Sequence, residues 1–100
     1  MAHLDGVNLR SALLLNARME GASLVRVDLR DANMSFAQLQ EADLQGARLE
    51  NAILDFADLR QSRNVTEEQL VSVRSRRGAR LPAALARLEI PADAELPEQQ

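Results

Sequence analysis

The chain has no cysteine, tryptophan, tyrosine or lysine, and Phe36 and Phe56 are its only aromatic residues. Without cysteine there is neither a disulfide framework nor a thiolate metal site, a usage that fits a reducing compartment. With so few aromatics, any core is built from Leu, Ala, Val and Met, and no platform exists for stacking nucleic-acid bases. The sole histidine, His3, has no partner motif around it and reads as a surface residue rather than a ligand or base. No phosphate-cradling glycine loop, nucleophile elbow or metal-ligand spacing occurs, so the residues point away from an enzyme and imply no cofactor. Asp28, Asp43, Asp55 and Asp58 read as solvated or turn-bonding carboxylates rather than catalytic pairs. No stretch approaches the roughly 18 apolar residues of a spanning helix, and no basic start precedes an apolar run. The expectation is a cytoplasmic, single-domain protein with no membrane contact.

Net charge is −3, unevenly spread. Residues 1–60 carry nine acids against six Arg, residues 61–80 five Arg against two Glu, and residues 81–100 four acids against Arg87. A net acidic surface with its arginines clustered in one segment argues against direct nucleic-acid binding.

What the chain does have is a period of five. Leu4, Leu9, Leu14, Met19, Leu24, Leu29, Met34, Leu39, Leu44, Leu49, Leu54 and Leu59 follow one another at that spacing, each with Ala or Val two positions earlier. A helix turns about 100° per residue, so a five-residue repeat would spiral the Leu positions around its whole surface. A flat strand fails as well, because an odd period sends successive Leu residues to opposite faces. The chain must bend once per repeat, with the apolar pair pointing inward and a corner restoring that direction for the next unit.

Segments such as Ala42-Asp43-Leu44-Gln45-Gly46, Ala47-Arg48-Leu49-Glu50-Asn51 and Ala57-Asp58-Leu59-Arg60-Gln61 resemble the A(D/N)LXX unit of pentapeptide-repeat proteins. The resemblance covers residues 2–61. It implies an all-β solenoid, a right-handed quadrilateral β-helix with four pentapeptides per coil, hence about three coils. Residues twenty apart are then expected to stack: Leu4 with Leu24 and Leu44, Leu9 with Leu29 and Leu49, Val7 with Val27.

At the next unit Ser62 and Asn64 would take the inward positions, and the coil is expected to stop there. Thr66 and Gln69 form a capping-box pair, with Val65 placed to staple onto Leu70. A helix follows, with Glu67 and Glu68 at its positive end, Arg74, Arg76 and Arg77 at its negative end, and Gly78 as its stop. Leu70, Val73 and Val71 give it an apolar side expected to lie over Leu44, Leu49, Leu54 and Leu59. A second short helix is expected from Pro82 through Leu85 to Leu88. Residues 62–90 thus form a helical cap, and residues 91–100 read as a mobile tail. At the other end the first unit begins at Ala2. A longer polypeptide, a molecule seated on the open coil, or a tolerated bare end are the three readings.

Folding the outward positions onto the twenty-residue period gathers Leu13, Leu15, Phe36, Ile53 and Phe56 on one wall. Such clustering marks a candidate interface for a protein partner or a homo-oligomer, unless the C-terminal Leu81, Leu85, Leu88 and Ile90 fold back over it. The reading is a non-catalytic protein-interaction or scaffolding module of bacterial origin. The resemblance also brings an alternative, since some family members mimic duplex DNA and bind a type II topoisomerase such as gyrase. That role requires long carboxylate stripes, whereas here Arg48 falls in the Asp28 column and Arg60 in the Glu20 column.

Overall fold

The computed structural model describes residues 2–93. Its framework is a set of parallel single-residue β-bridges between positions twenty apart, from His3↔Ser23, Asn8↔Asp28, Leu13↔Asn33 and Arg18↔Gln38 through Ser23↔Asp43, Asp28↔Arg48, Asn33↔Ile53 and Gln38↔Asp58. We call the four sides walls one to four and each circuit a layer.

The corners explain the period. In every unit the amide of the following small residue donates to the carbonyl of the inward Leu or Met, as in Val7 N to Leu4 O at 3.0 Å and Ala32 N to Leu29 O at 3.1 Å. The residue between them has positive φ in each case, for example Gly6, Ser11, Asn16, Asp31, Phe36 and Phe56. Positive φ confined to the third residue of a four-residue turn is the signature of a type II turn. Five residues therefore make one short extended segment and one corner.

Inside, the ladder positions Leu24, Leu29, Met34, Leu39, Leu44, Leu49, Leu54 and Leu59 are completely or almost completely buried, with Ala22, Ala32, Ala37, Ala42, Ala52 and Ala57 between them. Alanine fits there because the walls approach closely. In the first layer the equivalent Leu4, Leu9 and Leu14 are only partly buried, and Val7 is exposed.

The ladder runs past its expected end. Asp43 bridges Arg63, Ile53 bridges Ser75 and Asp58 bridges Arg80. Ser62 takes the buried alanine position and satisfies its hydroxyl by donating to Leu59 O at 2.6 Å, which is why a polar residue does not stop the coil. Only the second wall of this partial fourth layer is replaced, by helix α1, Glu67–Ser72. The two-residue change of offset, from twenty to twenty-two, hides the continuation from a strict count of five.

The capping box forms as expected, with Thr66 Oγ1 accepting from Gln69 N at 3.1 Å and Gln69 Oε1 accepting from Thr66 N at 2.8 Å. The helix is shorter than expected. It ends at Ser72, so Arg74, Arg76 and Arg77 lie beyond it and compensate no helix dipole. Instead of lying over all four ladders, α1 spans one wall: Gln69 Nε2 donates to Leu44 O and Ala47 O at 2.8 and 3.0 Å, and Asn51 N donates to Ser72 O. Leu70 is buried, whereas Val71 faces outward. Gly78 is a corner of the fourth layer rather than a helix stop, with φ of +71°. Ala79 and Leu81 then repeat the inward pair over Ala57 and Leu59. Pro82 precedes a 3-10 helix, Ala83–Leu88, after which Ile90 bridges Arg77. Of the expected tail, residues 94–100 lie outside the described residues.

Candidate interaction surface

Wall three carries the candidate residues on three parallel columns. Leu13, Asn33, Ile53 and Ser75 form one column, Leu15, Ser35, Asp55 and Arg77 the next, and Asn16, Phe36, Phe56 and Gly78 the corner column. The Phe36 and Phe56 rings stack with centroids 5.0 Å apart and planes 11° from parallel. Leu13 is 80% exposed, Leu15 52%, Phe36 48% and Phe56 41%, while Ile53 is half-buried. The lower two layers of this wall bear no formal charge. Asp55, in the third layer, is engaged at the upper rim, where it accepts from the Ser75 hydroxyl and from Arg77 N at 3.1 Å.

Both phenylalanines hold left-handed backbone, with φ of 63° and 61°. For a bulky side chain this costs roughly 1–2 kcal/mol each, whereas an aromatic pair returns about 0.5–1.5 kcal/mol beyond its burial. Glycine or asparagine, which occupy other corners of the same kind, would avoid that cost.

The C-terminal segment does not fold over this face among the described residues. Leu81 points into the core, Leu85 and Leu88 pack against it, and Ile90 pairs with Arg77. Contact with the aromatic column is limited to its upper end. A Cβ placed on Gly78 would stand 2.6 and 2.7 Å from two ring carbons of Phe56, and 3.4 Å from the Ala92 Cβ. Gly78 is therefore favoured by its φ, which non-glycine residues hold at other corners, and required by the ring beneath it. Sequence reasoning missed this role because the offset of twenty-two conceals that Gly78 continues the Phe36–Phe56 column.

The other walls carry charged side chains, several of them in pairs. Asp28 holds Arg30 through two bonds of 2.9 and 2.7 Å, and Asp58 does the same with Arg60. The Arg30 guanidinium draws the Asp28 carboxyl down to about 2. Asp58 is also lowered, chiefly by Arg60. Asp43 is lowered by hydrogen bonds from the Asn64 side chain and the Gln45 backbone. These carboxylates are fixed acceptors of arginine, asparagine and backbone donors and do not converge on a reacting position. His3 is exposed at the first-layer edge of wall one. Among the described residues no group of three or more His, Cys, Asp or Glu is arranged to hold a metal ion. No described helix is long and apolar enough to cross a membrane.

Comparison with known proteins agrees with this geometry. No curated protein matches the chain in sequence. The structure of QnrB1, a plasmid-mediated fluoroquinolone resistance protein, superposes with a TM-score of 0.54 at 18% identity over 84% of this chain and 40% of that one. HetL, a pentapeptide repeat protein involved in heterocyst differentiation regulation in Nostoc sp. strain PCC 7120, is 27% identical over 94% of this chain and 42% of its own, with a TM-score of 0.37. A pentapeptide repeat protein of the Arabidopsis thaliana thylakoid lumen is 20% identical over 78% of this chain and 60% of its own, with a TM-score of 0.39. The chain thus spans 40 to 60% of the length of these proteins. The family model for pentapeptide repeats (8 copies) matches residues 2–35 and 32–63, and the chain belongs to that family.

Proposed function

We propose that the protein is a rigid, non-catalytic protein-interaction module, a right-handed quadrilateral β-helix of three coils whose partial fourth layer, with α1, serves as a cap. Its docking face is wall three, with Leu13, Leu15, Phe36, Ile53 and Phe56 as contact residues and a protein as the occupant. The observation that carries this reading is the stacked, half-exposed Phe36–Phe56 pair, held in left-handed backbone beside an uncharged stretch of wall. Aromatic anchors in a shallow apolar field are what protein interfaces concentrate. The alternative, a DNA-mimicking regulator of a type II topoisomerase, has weaker support. The Asp28–Arg30 and Asp58–Arg60 pairs interrupt any continuous negative wall, and the likeness to QnrB1 extends to the fold alone.

The test uses the double variant Phe36→Asn/Phe56→Asn, because Asn16 and Asn51 hold the same corner with the same φ. Its melting temperature is expected to equal or exceed that of the wild type, while a protein captured by the wild-type chain is lost. Equal capture by both chains would remove wall three as the docking face.

A further inference from the structure

Away from wall three, one corner of wall four gathers polar groups whose bonding capacity is unspent. Gln40, Arg60, Gln61, Leu81 and Ala83 line a cleft there of about 510 Å³. That size lies within the roughly 300–1,000 Å³ of small-ligand sites. The cleft arises because the fourth layer leaves the repeat at this corner. Pro82 and Ala83 stand in the places of Arg60 and Gln61, and the chain turns into the 3-10 helix instead of rounding on to wall one.

Within this region Gln40 Oε1 is buried and accepts no hydrogen bond, the single side-chain atom of that kind among the described residues. The amide cannot be turned over to cure this. Its Nε2 donates to Gln38 Oε1 at 2.9 Å and to Asp58 Oδ2 at 3.1 Å, so a flip would set oxygen against both acceptors. A buried acceptor left empty is costly and marks a place where a donor belongs. The backbone is unspent as well. Most corner amides donate to the next layer, as Gly21 N does to Gln40 O and Phe36 N to Asp55 O, both at 2.9 Å. Glu41 N and Gln61 N make no such bond among the described residues, and Arg60 O accepts none. Arg60 gives Nε and Nη2 to Asp58, which leaves Nη1 over.

We propose that this cleft binds an extended peptide segment of another protein. One peptide unit gives its N–H to Gln40 Oε1 and its C=O to Arg60 Nη1, and an aliphatic side chain rests on Ala83 and the edge of Leu81. A donor and an acceptor side by side over an apolar floor are what a peptide presents. A carboxylate or phosphate would bring a further acceptor to Gln40 Oε1, and a hydrocarbon would leave every polar group empty. Arg60 and Gln61, both exposed, are the side chains of the cleft that can shift to admit the N–H.

The probe is N-acetyl-leucine methylamide, compared with its fully N-methylated counterpart, which keeps the carbonyls and the isobutyl group but has no N–H. Titrated into isotope-labelled protein, the first is expected to shift the NMR signals of the Gln40 side-chain amide and the Gln61 backbone amide saturably, with a Kd of about 1–10 mM. The second should bind at least about tenfold more weakly. Gln40→Met removes the acceptor, and Ala83→Phe fills the cleft from its exposed rim. Each should weaken binding at least about tenfold with the rest of the spectrum unchanged, while Phe36→Asn/Phe56→Asn binds like the wild type. No saturable shift up to about 50 mM probe, equal affinity for the two probes, undiminished binding by Gln40→Met, or loss of binding with the phenylalanines would each overturn the proposal.

Discussion

At the first layer, Leu4, Leu9 and Leu14 stay partly open and the edge groups of His3, Asn8, Leu13 and Arg18 have no backbone partners among the described residues. At the third layer, Leu44, Leu49, Leu54 and Leu59 are all but fully buried beneath Leu70, Val73 and Leu81. There Gln69 fills the carbonyls of Leu44 and Ala47, and Arg76 donates to Leu70 O and Leu88 O at 3.3 and 2.9 Å. Both layers carry the same repeat with nearly the same residues. The difference lies wholly in what sits on them, so a unit's contribution is set by its neighbours rather than by its own composition, as in other solenoids.

The strongest way to break that comparison is to shift the register between the two ends. One alanine inserted after Gln40 moves every later inward residue by one position and severs the third layer from the second. A loss exceeding about 4 kcal/mol is expected, seen as a collapsed urea midpoint and altered circular dichroism. An alanine inserted between Ala83 and Ala84 lies beyond the last inward residue, Leu81, and displaces only the partly buried Leu85 and Leu88 and the Ile90 bridge, so it should cost about 1–2 kcal/mol, well short of that loss. The stretch from Gly78 to Pro82 belongs with the first case, because Ala79 and Leu81 are packed in the ladder and Arg80 is bridged to Asp58. Equal effects at positions 40 and 83 would contradict the twenty-residue stacking.

A graded version compares Leu29 with Leu9, which stack on each other one layer apart. Leu29→Ala should cost roughly 2–5 kcal/mol, and Leu9→Ala about half as much, since part of its side chain already meets solvent. Chemical denaturation of the two variants at low protein concentration measures the ratio.

The period of five made the inward Leu and Ala columns legible, together with the twenty-residue stacking and the alignment of Phe36 with Phe56, because each follows from arithmetic on one rule. The capping box at Thr66 and Gln69 was legible for a different reason: its chemistry is local. What stayed hidden was the fourth layer, where helix α1 adds two residues to the count and Ser62 fills an alanine position by bonding back to Leu59. The arginines were misplaced on the helix for the same reason. Arg76 stands in register with Leu54, where a hydrocarbon would be expected, and its guanidinium works as a donor to cap carbonyls. Composition holds no trace of such a substitution of function.

Gly78 offers a smaller test of the C-terminal end of the stack. Gly78→Ala puts a methyl against the Phe56 ring and a side chain on left-handed backbone. A loss of about 1–2 kcal/mol in thermal or urea unfolding is expected. Gly6→Ala, with the same φ but open space around it, should lose less. Combining Gly78→Ala with Phe56→Asn should recover the part due to the collision and leave the backbone part. A full loss in the double variant would place the whole effect in φ.

The smallest effect concerns charge and again separates the layers. Asp28 and Arg30 occupy the columns that hold Asn8 and Arg10 in the first layer, so of these two layers only the second has a carboxylate there to titrate. The Asp28 carboxyl, drawn from 3.8 down to about 2 by the Arg30 guanidinium, binds its proton more weakly in the folded chain than in the unfolded one. Its stabilisation is therefore complete above pH 3.8 and is lost as pH falls through 2. Carboxyl NMR should place the Asp28 midpoint near 2 in the wild type and shift it upward in Arg30→Gln. Asp28→Asn should differ from the wild type at neutral pH and converge with it at the acid extreme. If the gap between them stays constant across that range, the pair contributes nothing that depends on ionisation, and the order of the second layer over the first rests on packing alone.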